Sequence, residues 1–149
     1  MVVRSTESKF NLPNVMRSMV YSAMSTLKVG LDILLKEEGV KLDSILGHGG
    51  LFKTKGVAQS FLAAAIDAPV SVMETAGEGG AWGMAVLAAY VVGKEEGESL
   101  EDYLDNKVFA GMAKETLSPD EKAVAGFNAY IERYKSGLAV ERTAVTALK

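Results

Sequence analysis

The sequence predicts an α/β fold in which helices flank a short parallel sheet. Three observations predict it. Two short apolar segments, 40–48 and 68–73, are bounded by turn residues and followed by helix-forming runs. Between them, Val57, Phe61, Leu62, Ala65 and Ile66 recur at helical spacing through 55–67. The first strand runs into the glycine turn Leu46-Gly47-His48-Gly49-Gly50, and a second glycine-led turn, Gly79-Gly80-Ala81-Trp82-Gly83, opens the next helix. A β-α-β-α order with short links places the two strands parallel, joined by a right-handed crossover.

The elements follow in order. Residues 1–12 are polar without a clear period and are expected to form a flexible arm. Asn11 or Leu12 caps a long amphipathic helix, with Pro13 at its start. Its apolar positions include Met16, Met19, Val20, Ala23, Met24, Leu27, Leu31, Leu34 and Leu35, with the methionines forming a core stripe. Gly39 is placed to end it in a left-handed conformation. The strand 40–48, the helix 55–67 and the strand 68–73 come next, with Pro69 tolerated where the second strand begins. A flexible turn, 75–80, leads to an alanine-rich helix, 81–92, expected to be buried. The charged run 94–99 is a solvated loop, and 100–105 a short helix. Ser118-Pro119-Asp120-Glu121 predicts a helix start with Ser118 as cap, the helix running to about 135 before a peripheral tail, 137–149. The whole of 1–149 is expected to be a single partial domain. Only two strands are evident, which leaves a sheet edge bare and favours pairing with another chain.

Composition narrows the function classes. A chain of 149 residues supports one domain with a real core. The formal net charge is −3, and lysines are interleaved with glutamates rather than gathered into a stripe, so no nucleic-acid partner is expected. With no cysteine, disulfides and thiolate metal sites are excluded. The N-terminus lacks the order of a signal peptide, and no apolar run approaches the roughly 18 residues of a membrane span. The expectation is a cytoplasmic protein with no membrane partner.

Strand, glycine turn, helix is how a protein brings bare backbone close to a phosphate or nucleoside. Gly47, Gly49 and Gly50 are therefore candidates for nucleotide contact, the bland alternative being a tight strand-to-helix turn. His48 is the sole histidine, and with no second histidine or cysteine beside it a backbone-bonded turn residue is the better reading. Trp82 is assigned to packing and Glu74 and Glu78 to the loop surface.

Four features, in order, make the chain resemble the C-terminal part of the FGGY carbohydrate kinases. They are the long helix with its early Arg17, the strand and glycine cluster 43–50, the helix-to-strand step 61–70, and Ala81-Trp82-Gly83-Met84-Ala85. The resemblance covers 13–93. It implies a ribonuclease H-like ATPase domain of the actin/hexokinase type, with ATP in a cleft between two domains. It also implies transfer of the γ-phosphoryl group of Mg-ATP to a sugar hydroxyl, with xylulokinase and ribulokinase as the most similar members. By the same resemblance Gly49 and Gly50 approach ribose and inner phosphates beside Gly47, Thr54 and Lys55 face adenine, and Gly83 lets the last helix pack beneath the base. His48 and Trp82 replace small residues of the family pattern, and Trp82 could narrow the adenine slot. The family's catalytic aspartate, its sugar-contacting residues and its β- and γ-phosphate turn all lie upstream of the matched region. No catalytic or metal-binding residue is therefore assigned here, and the chain is expected to be inactive without an N-terminal part, with ATP and Mg as the cofactors of the full-length kinase. The expected partners are ATP or ADP, with self-association or pairing with the missing half. The alternative is a non-catalytic protein-interaction module that keeps the kinase subdomain fold.

Overall fold

A computed structural model describes residues 2–42 and 45–148. The chain forms two compact units: Met1–Leu42, Phe61–Ala68 and Pro119–Lys149 make the first, and Asp43–Ser60 and Pro69–Ser118 the second.

The first unit is helical. Helix α1, Leu12–Asp32, begins where the Asn11 side chain accepts the amide of Asn14, with Pro13 in the first turn. It widens into a π turn, Ile33–Glu37, before Gly39 closes it at φ +65°. Asp32 lies between Lys28 and Lys36 at 2.8 and 3.2 Å. Burial pushes its carboxyl up, but the two ammonium groups outweigh that, and it titrates below the ordinary carboxylate range. The inward face of α1 is Tyr21, Met24 and Ser25. Tyr21 is the hub, meeting the rings of Phe61, Phe127 and Tyr130 edge-on at 5.5, 5.2 and 5.1 Å. Ser25 is fully buried and donates to the carbonyl of Tyr21, so its hydroxyl costs little there. The predicted methionine stripe is corrected: Met24 is 4% exposed, but Met16 and Met19 are 56% and 64% exposed. The apolar period of α1 is wider than the face its neighbours cover.

The last helix, α5, spans Glu121–Ala147, and the short helix α4, Leu100–Tyr103, comes before it in the chain. Its cap is Asp120, whose carboxylate accepts the amide of Ala123, and not Ser118. A carboxylate at the positive end of the helix dipole is favoured there, and Ser118 remains beside the strand that precedes it. The helix also runs on past the predicted end near 135, because nothing after Gly137 breaks it. Tyr130 donates to the carbonyl of Ser18, and the hydroxyls of Tyr134 and Thr26 meet at 3.1 Å, so one turn of α5 is hydrogen-bonded to α1.

Helix α2, Val57–Ile66, contributes residues to both units, and Leu62 through Ile66 are all buried. It ends at Asp67, the one described non-glycine residue with positive φ, +53°. Left-handed backbone is strained for a residue with a Cβ. Asp67→Gly is therefore expected to raise stability by about 1 kcal/mol, read as a higher denaturant midpoint with unchanged m-value.

The second unit holds the sheet. Strand β1 is Leu46–Gly47, β2 is Val70–Met73 and β3 is Lys114–Leu117. β2 is central, parallel to β1 (Leu46 opposite Ser71) and antiparallel to β3 (Met73 opposite Lys114). The α/β prediction holds, but the sheet is mixed rather than purely parallel. β3 was missed because Lys114-Glu115-Thr116-Leu117 is three-quarters polar and exposed, with no apolar run to mark it. It pairs with the second edge of β2. The predicted strand 40–48 shortens to its last residues, and its Asp43 and Ser44 lie outside the described residues. Helix α3, Gly79–Gly93, forms as predicted, but it is not buried. Every described residue of α3 is at least partly exposed, with Met84 at 69% and Val91 at 72%. Among the described residues, no helix is long and apolar enough to cross a membrane.

Candidate functional site

The second unit carries the candidate site. Strand β1 ends at Gly47, which is buried because the ring of Phe52 lies in the space a side chain would fill. Ring carbons of Phe52 would sit 2.4–2.9 Å from a Cβ at this position. Gly49 follows at φ +106° and ψ 175°, a conformation essentially reserved for glycine. Its amide donates to the carbonyl of Ala76 at 2.7 Å, and its carbonyl accepts the amide of Phe52, opening a 3-10 turn over Gly50–Lys53.

The bond from Gly49 to Ala76 joins the first glycine turn to the second. Ala76–Glu78 form a 3-10 turn that runs directly into α3. His48 packs over Gly79, where an added Cβ would lie 3.0 Å from its Nδ1. Lys53 lays its stem over Gly77 and pairs with Glu78. The two motifs, separate in sequence, thus form one structure.

Beside them opens a cleft of about 570 Å³, within the usual range for small-molecule sites. One wall is 52–56, a second is the end of β2 with the 3-10 turn after it, and the third is the start of β3. Thr54 and Lys55 line it, as do Phe52, Met73 and Gln59. Lys55 pairs with Glu115 at 2.9 Å, and the hydrogen bond with that carboxylate holds its ammonium above the usual lysine range. Gln59 is 3% exposed and donates both Nε2 hydrogens, to the carbonyls of Val70 at 2.7 Å and Glu115 at 2.9 Å.

Of the sequence-predicted site residues, Thr54 and Lys55 therefore line the cleft. Gly47 reaches it only through Phe52. Gly49 holds the junction of the two turns, and Gly50 starts the 3-10 turn with open space where a Cβ would stand. Gly83 lies on α3 outside the cleft lining, also with open space at its Cβ position. Trp82 packs against Phe109, ring centres 5.7 Å apart. Glu78 is bound to Lys53, while Glu74 sits exposed in the cleft wall. Gln59 and the β3 rim were not anticipated. The signal for Gln59 was present, since it shares the inward helical phase of Leu62, Ala63 and Ile66, an odd place for an amide.

Among the described residues, no group of three or more His, Asp or Glu side chains is arranged to hold a metal ion. Comparison with known proteins adds the family. Among curated proteins and solved structures none matches the chain. The model of the FGGY family of carbohydrate kinases, C-terminal domain, matches residues 1–92, which takes in α1, both glycine turns, β1, β2 and nearly all of α3. The chain therefore belongs to the FGGY family of carbohydrate kinases through its C-terminal domain, which has the actin/hexokinase-type fold.

Proposed function

We propose that this chain is the ATP-binding portion of a cytoplasmic sugar kinase of the pentulose class. The observation that carries the reading is the junction of two glycine turns beside a cleft whose wall includes Thr54 and Lys55. In this reading adenine lies in the cleft against Thr54 and Lys55, whose lining also includes the apolar side chains of Phe52 and Met73. Ribose and inner phosphates extend toward Gly49 and Gly50, where the missing Cβ atoms leave backbone accessible. Phosphoryl transfer needs acceptor, metal and γ-phosphate held in line. The reading assigns the catalytic aspartate and the sugar contacts to an N-terminal kinase domain, with Mg²⁺ entering on the nucleotide phosphates. Alone, the chain binds ATP or ADP and transfers nothing.

Gly50→Val tests this cleanly. Gly50 has ordinary φ and open space at Cβ, so valine leaves the fold intact while standing where ribose and phosphate would approach. Calorimetric titration with ATP and ADP should show binding by the parent chain, weakened about tenfold or more by valine, a loss of about 1.4 kcal/mol or more. A folded parent chain that takes up neither nucleotide overturns the assignment.

A second reading, an interaction module that keeps the kinase fold, draws on α3. Gly79–Gly93 carries no charged residue, and Met84, Leu87, Val91 and Val92 are all exposed. Apolar exposure along a whole helix marks a face that another polypeptide covers. That polypeptide is the rest of the kinase in the first reading, and a separate partner or second copy in this one.

A further inference from the structure

We propose that the exposed apolar stripe of α1 pairs with the same stripe of a second copy of this chain, the two helices antiparallel about a two-fold axis at Ala23. The inference concerns the first unit alone and is independent of the nucleotide reading.

Two stripes run along α1. One, Tyr21, Met24 and Ser25, is buried. The other faces solvent. Met16, Met19, Ala23, Leu27 and Gly30 follow at steps of three and four residues, which keeps them on one side of a helix. Leu12 extends the series at its start and Leu34, on the π turn, at its end. All seven are exposed, Met19 at 64% and Leu27 at 45%. The charged residues of this stretch stay off the stripe. Lys28 and Asp32 bind each other at 2.8 Å, and Arg17 lies about 100° around the helix from Met16. Covering the stripe therefore strips no charge of its water.

The spacing names the occupant. From Leu12 to Leu34 the steps are 4, 3, 4, 4, 3 and 4, the same order in both directions. An antiparallel second copy centred on Ala23 thus meets the stripe in register. Met19 falls opposite Leu27, Met16 opposite Gly30 and Leu12 opposite Leu34, each pair formed twice. The same patch serves both copies, as a two-fold interface requires, whereas a different partner places no such demand on the order of the steps. Ala23 at the axis and Gly30 facing Met16 let the helices approach within the usual 8–10 Å or so. By helix geometry the stripe is about 33 Å long and about 10 Å wide. That is the small end of protein interfaces, so the dimer is reversible, with a dissociation constant of micromolar order.

The test is sedimentation velocity of the full chain at about 1 to about 100 µM, alone and with two substitutions. Met19→Glu sets a carboxylate against Leu27 of the second copy and should raise the dissociation constant about tenfold or more. Met19→Glu combined with Leu27→Lys should restore the dimer, because the antiparallel register sets each Glu against a Lys of the other copy. Within one chain the two positions are about 12 Å apart along the helix and do not pair. Both sites are exposed and both new residues form helix well, so folding, checked by circular dichroism, is retained. A wild-type chain that stays monomeric throughout overturns the proposal. A dimer that Met19→Glu leaves intact does so too, and moves self-association to another face such as α3. Failure of the double variant to dimerise overturns the antiparallel pairing, since a parallel pair would set Glu on Glu and Lys on Lys.

Discussion

Truncation of Phe127 to alanine is expected to destabilise the chain by about 3–5 kcal/mol. Phe127 is fully buried in the first unit, and its ring meets Tyr21 edge-on at 5.2 Å. Tyr21 also holds Phe61 and Tyr130, so α1, the middle of α2 and α5 converge on one aromatic cluster. Removing the ring leaves a cavity beside Tyr21, which cannot close it without leaving Phe61 and Tyr130. The loss therefore combines the transfer free energy with a cavity term and with edge-to-face attraction of about 0.5–1.5 kcal/mol per pair. Urea titration followed by near-ultraviolet circular dichroism reads both the midpoint and the tyrosine environment. Met16→Ala is the control. At 56% exposure on the same helix it should move the midpoint by no more than about 0.5 kcal/mol. A Phe127→Ala chain as stable as the parent would mean that α1 and α5 are not held through this cluster.

The contrast between Met16 and Phe127 shows what the sequence makes legible and what it does not. Helical period identified α1, α2, α3 and α5, because an amphipathic stripe is a local property of the chain. Period does not tell which part of a stripe a neighbour covers. In α1 the apolar positions wrap past the face occupied by Tyr21, Met24 and Ser25, so Met16 and Met19 were assigned to a core they do not enter. α3 failed in the same way: a run of Gly, Ala, Val and Leu reads as buried on composition, yet burial depends on a partner surface that local sequence does not describe. β3 failed in the opposite sense. Lys114-Glu115-Thr116-Leu117 has little apolar content, and it is a strand because β2 offers it four residues of backbone pairing and Ser71 offers Thr116 a hydroxyl bond at 2.7 Å. Tertiary pairing outweighed propensity there.

The site divides along similar lines. The two glycine turns were legible because positive φ and absent side chains leave a compositional mark, and Gly49 fits its position for that reason. Their juxtaposition was not, since it depends on one long-range bond from Gly49 to Ala76 and on the packing of His48 over Gly79. Thr54 and Lys55 reached the cleft through family resemblance rather than through any local signal. Gln59 was on the page as a polar residue in an inward phase, but its two strand carbonyls come from Val70 and Glu115, and the second belongs to the strand that was missed. Without β3 the cleft has no third wall, and Gln59 has no reason to be held.

Gly47→Ala is expected to cost about 1–3 kcal/mol and to weaken nucleotide binding, although Gly47 itself touches no part of the cleft. Its φ is ordinary, so the cost is not conformational; it comes from the Phe52 ring, three carbons of which would lie 2.4–2.9 Å from the new methyl. The backbone of Gly47 is paired opposite Val72 in the sheet and cannot easily withdraw. Phe52 must move instead, and Phe52 is a wall of the cleft. Under the nucleotide reading, a glycine that permits close packing thus acts on the ligand through the aromatic side chain it admits. The double-mutant cycle with Phe52→Ala separates this from any other effect. Phe52→Ala removes the clashing ring, so in that background Gly47→Ala should be nearly neutral in stability and should cause no additional loss of ATP affinity. The measurement is the pair of thermal midpoints and calorimetric dissociation constants for the four chains. Additive losses would place the cost of the methyl in the turn backbone, whereas a coupling of about 1 kcal/mol or more places it in the contact between Gly47 and Phe52. In that case the first glycine turn positions the cleft wall, and a glycine that lies outside the cleft still decides its shape.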